Sequence, residues 1–278
     1  MNSTIIEKIQ TLKKKKNAVI LVHNYQVAEI QDIADYVGDS LELAKISHDI
    51  ECSVILFCGV HFMAETAKIM NPEKTVLMPD LHAGCPMADM ITAAQLAEER
   101  VKHPDAAVVT YINSTAEVKA LSDICCTSAN GVKVVNALEE SEIIFTPDKY
   151  LGSFIARQIS SKTFHLWKGY CPTHMVFTRE NIERLKVQHP EAKVLVHPEC
   201  RLEVQDIADE ICSTSQMNTY AKKSSARDFI ICTEMGMLYR LTRENPDKQF
   251  IPGSKHALCP NMKLTTLEKV LWALEDMK

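Results

Sequence analysis

One eighteen-residue pattern occurs three times in this chain, and that repetition limits the folds open to it more than any other feature. His23 to Ser40 reads HNYQVAEIQDIADYVGDS, Tyr111 to Ser128 reads YINSTAEVKALSDICCTS, and His197 to Thr214 reads HPECRLEVQDIADEICST. The first and third copies agree at seven of eighteen positions, including Gln31 to Asp35 against Gln205 to Asp209, and the second keeps Glu117 and Asp123 in register. The copies start 88 and 86 residues apart. Solenoid repeats run to roughly 20–50 residues, so each unit here is long enough to form a small α/β layer by itself. The cysteines follow the same ruler. Cys85, Cys171 and Cys259 are separated by 86 and 88 residues, and each is followed by proline. One cysteine per unit, in one equivalent loop, is what three related units offer if they converge on a shared centre.

Within each unit, apolar runs of strand length alternate with helical periodicity. Ile5, Ile9 and Leu12 give an amphipathic helix over 4–16, and Ala18 to Val22 is a continuous apolar run of the kind buried on both faces of a parallel sheet. Residues 29–37 read as a helix stopped by Gly38, and Asp39 and Ser40 as caps for the next helix. Strands at 54–58 and 75–78 complete the first unit, and the order recurs downstream. The expected fold class is α/β: three homologous three-layer αβα units, with three parallel strands each and right-handed crossovers, around a pseudo-threefold axis. No low-complexity linker separates them. Boundaries are expected near 103 and 189, giving units 1–103, 104–189 and 190–278; the helix after each cysteine could pack on either neighbour.

A net charge of -5, from 31 basic and 36 acidic residues, argues against a nucleic-acid groove. No apolar stretch reaches membrane-span length and the first ten residues lack a signal-peptide core, so no membrane association and a cytoplasmic location are expected. Ten cysteines in that compartment are reduced, and any that matter are metal ligands or nucleophiles.

Ligands of parallel sheets bind beyond the carboxyl ends of the strands. There each first strand carries polar residues two apart: His23 and Tyr25, Tyr111 and Asn113, His197 and Glu199. At the last position of each copy stand Ser40, Ser128 and Thr214, three hydroxyls expected at helix N-termini, which suit a ligand with several carboxylates or a phosphate. Three thiolates are one short of a structural zinc site, and no CxxC pair exists. They leave an iron–sulfur cluster with one iron open, a Lewis acid for elimination chemistry. Glu199, the only carboxylate among the six strand-end side chains, is the expected general base, with a histidine or Tyr25 relaying protons. The other seven cysteines read as packing. His48, His61, His103, His165, His189 and His256 read as surface or core residues, and His82 and His174, beside the cysteine loops, stay open.

With HNY, GDS, YINS, CTSAN, HPEC, STSQM and three cysteine–proline loops, the chain resembles the quinolinate synthase (quinolinate synthetase A) family over essentially its whole length. The resemblance implies a [4Fe-4S] cluster held by Cys85, Cys171 and Cys259. It implies condensation of iminosuccinate, supplied by L-aspartate oxidase, with dihydroxyacetone phosphate to give quinolinate for NAD synthesis. It also implies substrate contacts at His23, Ser40, Tyr111, Ile112, Asn113, Ser128, His197, Pro198, Glu199 and Thr214, and a catalytic role for Tyr25. One departure is that no second cysteine follows Cys259 closely, so a redox disulfide is not available there. Two other readings remain: a cluster-dependent hydro-lyase acting on a small hydroxy acid, and a non-enzymatic iron or redox sensor.

Overall fold

A computed structural model describes residues 2–278. Its strands are β1 (Ala18–His23), β2 (Tyr36–Gly38), β3 (Val54–Cys58), β4 (Thr75–Leu77), β5 (Ala107–Tyr111), β6 (Ile124–Cys126), β7 (Glu142–Thr146), β8 (Thr163–Leu166), β9 (Lys193–Val196), β10 (Glu210–Ile211), β11 (Asp228–Cys232) and β12 (Gln249–Pro252). They form three all-parallel sheets of one topology, β2-β1-β3-β4, β6-β5-β7-β8 and β10-β9-β11-β12, with helices between successive strands. The central strands are buried almost throughout, as a sheet covered on both faces requires.

Each sheet has four strands, one more than expected. The extra strand lies inside the repeated pattern, where residues 29–37 read as helix. The helix there covers only Ala28–Asp32, and Tyr36–Gly38 is an edge strand. The reason is the aspartate kept in all three copies. The Asp35 carboxylate accepts the Ile20 N–H at 2.8 Å while its own N–H donates to the Ile20 carbonyl at 3.0 Å, which pins the chain to β1 and ends the helix. Asp123 does the same to Val108 and Asp209 to Val194. A cation completes each clamp: Lys13, Arg100 and Lys193.

A second device escaped the sequence reading. Lys74, Lys162 and Lys248 stand 88 and 86 residues apart, and each ammonium donates to two or more carbonyls near a helix end: Ser47 and Ile50, Leu138 and Glu140, Ala221 and Ser224. Three donors on a flexible stem suit that task.

Asp209→Ala is expected to cost about 1 kcal/mol, since the clamp is half-exposed and its charge screened. Burial raises the Asp209 carboxyl, but Lys193 and the Val194 N–H outweigh it and hold it below its ordinary 3.8. Its contribution is therefore fully present above that value and is lost as pH falls through the lower folded value. Urea unfolding checks this: the gap between wild type and variant stays constant at neutral pH and shrinks only in acid.

The helix after each of the first two cysteines packs on the sheet that follows it in the chain. Leu96 of Ala93–Lys102 joins Val108 and Ile144 of the second sheet, and Ile182 of Arg179–Gln188 joins Val194 and Ile230 of the third. The helix after Cys259, Leu267–Asp276, inserts Leu267, Val270, Leu271 and Leu274 among Ile9, Ile20 and Leu56 of the first sheet. The chain accordingly groups into two compact units, Met1–Cys85 with Cys259–Lys278, and Pro86–Leu258, which holds the second and third sheets.

Candidate active site

In the unit Pro86–Leu258, strands β5 and β9 deliver Tyr111 and His197 at their carboxyl ends, and the loop after β9 adds Glu199. The Tyr111 hydroxyl donates to Glu199 Oε1 at 2.6 Å. His174 Nδ1 lies 2.9 Å from Glu199 Oε2, its Nε2 lies 3.0 Å from the Thr233 hydroxyl, and its ring stacks on His197 at 4.7 Å. Glu199 is buried, and burial pulls its carboxyl upward. The attraction of His197 and His174 and the hydrogen bonds from His174 and Tyr111 outweigh that and hold it well below the usual carboxylate range. Sequence reasoning left His174 open; its position three residues after Cys171, on the 3-10 turn Pro172–Val176, was the available signal.

Asp148 is a functional-site neighbour that sequence reasoning missed. It caps the helix Lys149–Gln158 through Oδ1, which accepts the Tyr150 and Leu151 N–H groups, while its Oδ2 is buried. Burial, then the charge of Glu199, pushes this carboxyl well up. Two neighbouring carboxyls are thus driven in opposite directions, a pattern that recurs at acid–base sites. Gln205, from the repeated pattern, braces the Glu199 loop by donating to the Pro198 and Cys200 carbonyls at 2.8 Å each.

The unit Met1–Cys85 with Cys259–Lys278 repeats the loop geometry. Gln31 braces it from the same register position, donating to the Asn24 and Gln26 carbonyls. The Tyr25 N–H donates to His23 Nδ1 at 3.2 Å, as the Glu199 N–H does to His197 Nδ1 at 3.4 Å. When such an imidazole is neutral, an Nδ1 that accepts carries no proton and the ring hydrogen sits on Nε2. Lys263, also missed, donates to the Tyr25 carbonyl.

The three expected hydroxyls are not equivalent. Ser40 and Thr214 are the first residues of helices Ser40–Asp49 and Thr214–Lys223, behind caps Asp39 and Ser213. Asp39 already engages the Leu41 and Glu42 N–H groups with a carboxylate, so the end at Thr214 is the better anion site. Ser128 lies in a turn before Gly131, because Asn130 Oδ1 accepts the Thr127 N–H and delays the helix. Ser128 and Pro198 line a cavity of about 370 Å³ with Asn130, Lys133 and Gln216. Buried Ile112 lies beside Asn113, whose Oδ1 is buried without a hydrogen-bond partner among the described residues, as a ligand-contacting amide would be.

Cys85, Cys171 and Cys259 each follow the fourth strand of a sheet and precede a 3-10 turn, and all three are half-buried. Cys58, Cys126, Cys200, Cys212 and Cys232 are buried, with thiols pushed up by burial, which suits packing and opposes ligation. Cys125 and Cys126 lie on β6. Asn261 Nδ2 donates to the Gly84 carbonyl at 2.7 Å and ties the Cys259 loop to the Cys85 loop. Cys171, His174 and Glu199 offer ligand atoms within 4.8 Å of one another. The three thiols that stand in equivalent loops are thus half-buried, the exposure a metal-ligating thiolate needs.

Parallel sheets with opposed carboxyls, stacked imidazoles and accessible thiols at their strand ends define an α/β enzyme. Residues 7–278 match the family described as Quinolinate synthetase A protein. A quinolinate synthase of Dehalococcoides mccartyi (strain CBDB1) is 57% identical over 274 residues, 99% of this chain and 90% of that protein. Those of Thermodesulfovibrio yellowstonii and Geotalea uraniireducens are 53% and 55% identical, covering 99% and 98% of this chain and 91% and 90% of theirs. The chain belongs to the quinolinate synthetase A family. Among the described residues no helix is long and apolar enough to cross a membrane.

Proposed function

We propose that this enzyme condenses iminosuccinate with dihydroxyacetone phosphate, releasing phosphate and two waters to give quinolinate for NAD synthesis, in the cytoplasm and with the imine supplied by the reaction of L-aspartate oxidase. The observation that carries this reading is family membership over 99% of the chain, joined to a constellation around Glu199 able to move protons. Cys85, Cys171 and Cys259 would hold a [4Fe-4S] cluster, which supplies a Lewis acid at its non-thiolate iron when bound. The chain's own residues then carry binding and proton transfer.

His23 and His197 present Nε2–H groups to substrate oxygen, and Tyr25 stands edge-on to His23 with ring centroids 4.6 Å apart. Glu199 fixes the orientation of His174 and Tyr111 and stabilises positive charge on imidazole as protons leave carbon during tautomerisation. Ser40, Ser128 and Thr214 take the substrate's anionic groups, with Tyr111 to Asn113 and His197 to Glu199 lining the reacting part. Asn113 supplies an amide to a polar substrate atom, so Asn113→Ala is expected to raise KM about tenfold with kcat changed less, in steady-state kinetics.

The direct test is an anaerobic assay with both substrates, the imine generated by L-aspartate oxidase, and quinolinate measured by chromatography. Quinolinate formed only when both substrates are present supports the assignment. Dehydration of a simple hydroxy acid with no quinolinate would replace it with the hydro-lyase reading.

A further inference from the structure

At the opposite end of the second sheet from Tyr111, three donors meet that the chemistry above does not use. Glu142 opens β7 and His165 is the third residue of β8. The register pairs Glu142 with Thr163 and Ile144 with His165, so Glu142 and His165 project from one face. Leu96 of the helix Ala93–Lys102 packs with Ile144 on the same face, and the helix ends on His103, its C-cap. The His103 and His165 rings are stacked with centroids 3.5 Å apart, and His165 Nε2 lies 2.9 Å from Glu142 Oε2. One ligand atom from each residue falls within 4.8 Å of the other two.

We propose that His103, Glu142 and His165 form a second metal site, for a single divalent ion of borderline softness such as Zn2+. Two imidazoles and one carboxylate are a zinc donor set that leaves the fourth position to water, and the half-exposed side chains give water access. The helix C-terminus adds partial negative charge from its free carbonyls, which favours a cation. The two rings would leave their stack on binding, each turning about its own side-chain bonds so that both in-plane lone pairs meet the ion. Glu142 lies about 13 Å along β7 from the carboxyl end of that sheet, so occupancy is separable from the cysteine centre. The ion would fasten the helix after Cys85 to β8, the edge strand of the second sheet.

The test is equilibrium dialysis of anaerobic holoenzyme against buffered Zn2+, with zinc and iron per chain counted by mass spectrometry. One zinc per chain without loss of iron is expected. His165→Ala and His103→Ala should each weaken it tenfold or more, and turnover should be unchanged. Zinc should also raise the melting temperature of wild type and not of His165→Ala. Glu142→Gln retains a hydrogen-bonding partner for His165 and tests the carboxylate without opening the structure; it too should weaken binding. Equal zinc content and affinity in wild type and all three variants, no zinc retained by wild type, or zinc gained only as iron is lost would each overturn the proposal.

Discussion

Replacing Glu199 with glutamine is expected to lower kcat by about 10²–10³ with KM changed only a fewfold, in anaerobic steady-state assays on protein of matched iron content. Glutamine keeps the volume and can still accept from Tyr111, whose hydroxyl is 2.6 Å from Oε1. It cannot stabilise a positive charge on His174, 2.9 Å from Oε2. The loss therefore falls on steps in which imidazole takes up a proton, and it appears in kcat at every pH of the profile. A merely structural glutamate would show its loss in the melting transition and leave kcat near the wild-type value. Turnover near the wild-type value with iron intact would remove Glu199 from the proton-transfer machinery.

Cys171→Ala is expected to abolish quinolinate formation and to reduce iron and sulfide from about four of each per chain to near zero. The fold should survive. Cys171 is half-buried in a loop beyond β8, and removing a half-exposed thiol leaves no sealed cavity. Far-ultraviolet dichroism and the melting transition of the variant are compared with those of wild-type protein stripped of iron. One zinc with no sulfide in the wild type would exclude the cluster, and retained iron and sulfide in the variant would exclude Cys171 as a ligand.

Much of this was legible in the residues because repetition supplied a register. Apolar runs gave β1, β3, β5, β7, β9 and β11, and the shared 86- and 88-residue spacing put Cys85, Cys171 and Cys259 in equivalent loops, each after the fourth strand of a sheet. Tyr111, His197 and Glu199 were singled out by position alone, and the structure brings them into one constellation. The short edge strands were not legible: Tyr36–Gly38 and Glu210–Ile211 are too brief to show alternation, and the Asp35 and Asp209 clamps that create them act across 15 residues. His174 was left open and Asp148 was missed because their roles depend on tertiary neighbours. Asp148 reads locally as a helix cap, and only folding sets it beside Glu199. Ser128 misled for the same reason, since the Asn130 side chain that postpones its helix competes with a cap of the expected kind.

The first sheet is closed over by Leu267, Val270, Leu271 and Leu274, which come from the last helix of the chain. On a ribosome adding about 5–20 residues each second, β1 and β3 are therefore made early and covered last. For most of translation the nascent chain carries an apolar face whose own lid has not been made. That interval is when this protein most needs shelter from aggregation, and a late stop codon would leave it uncovered for good.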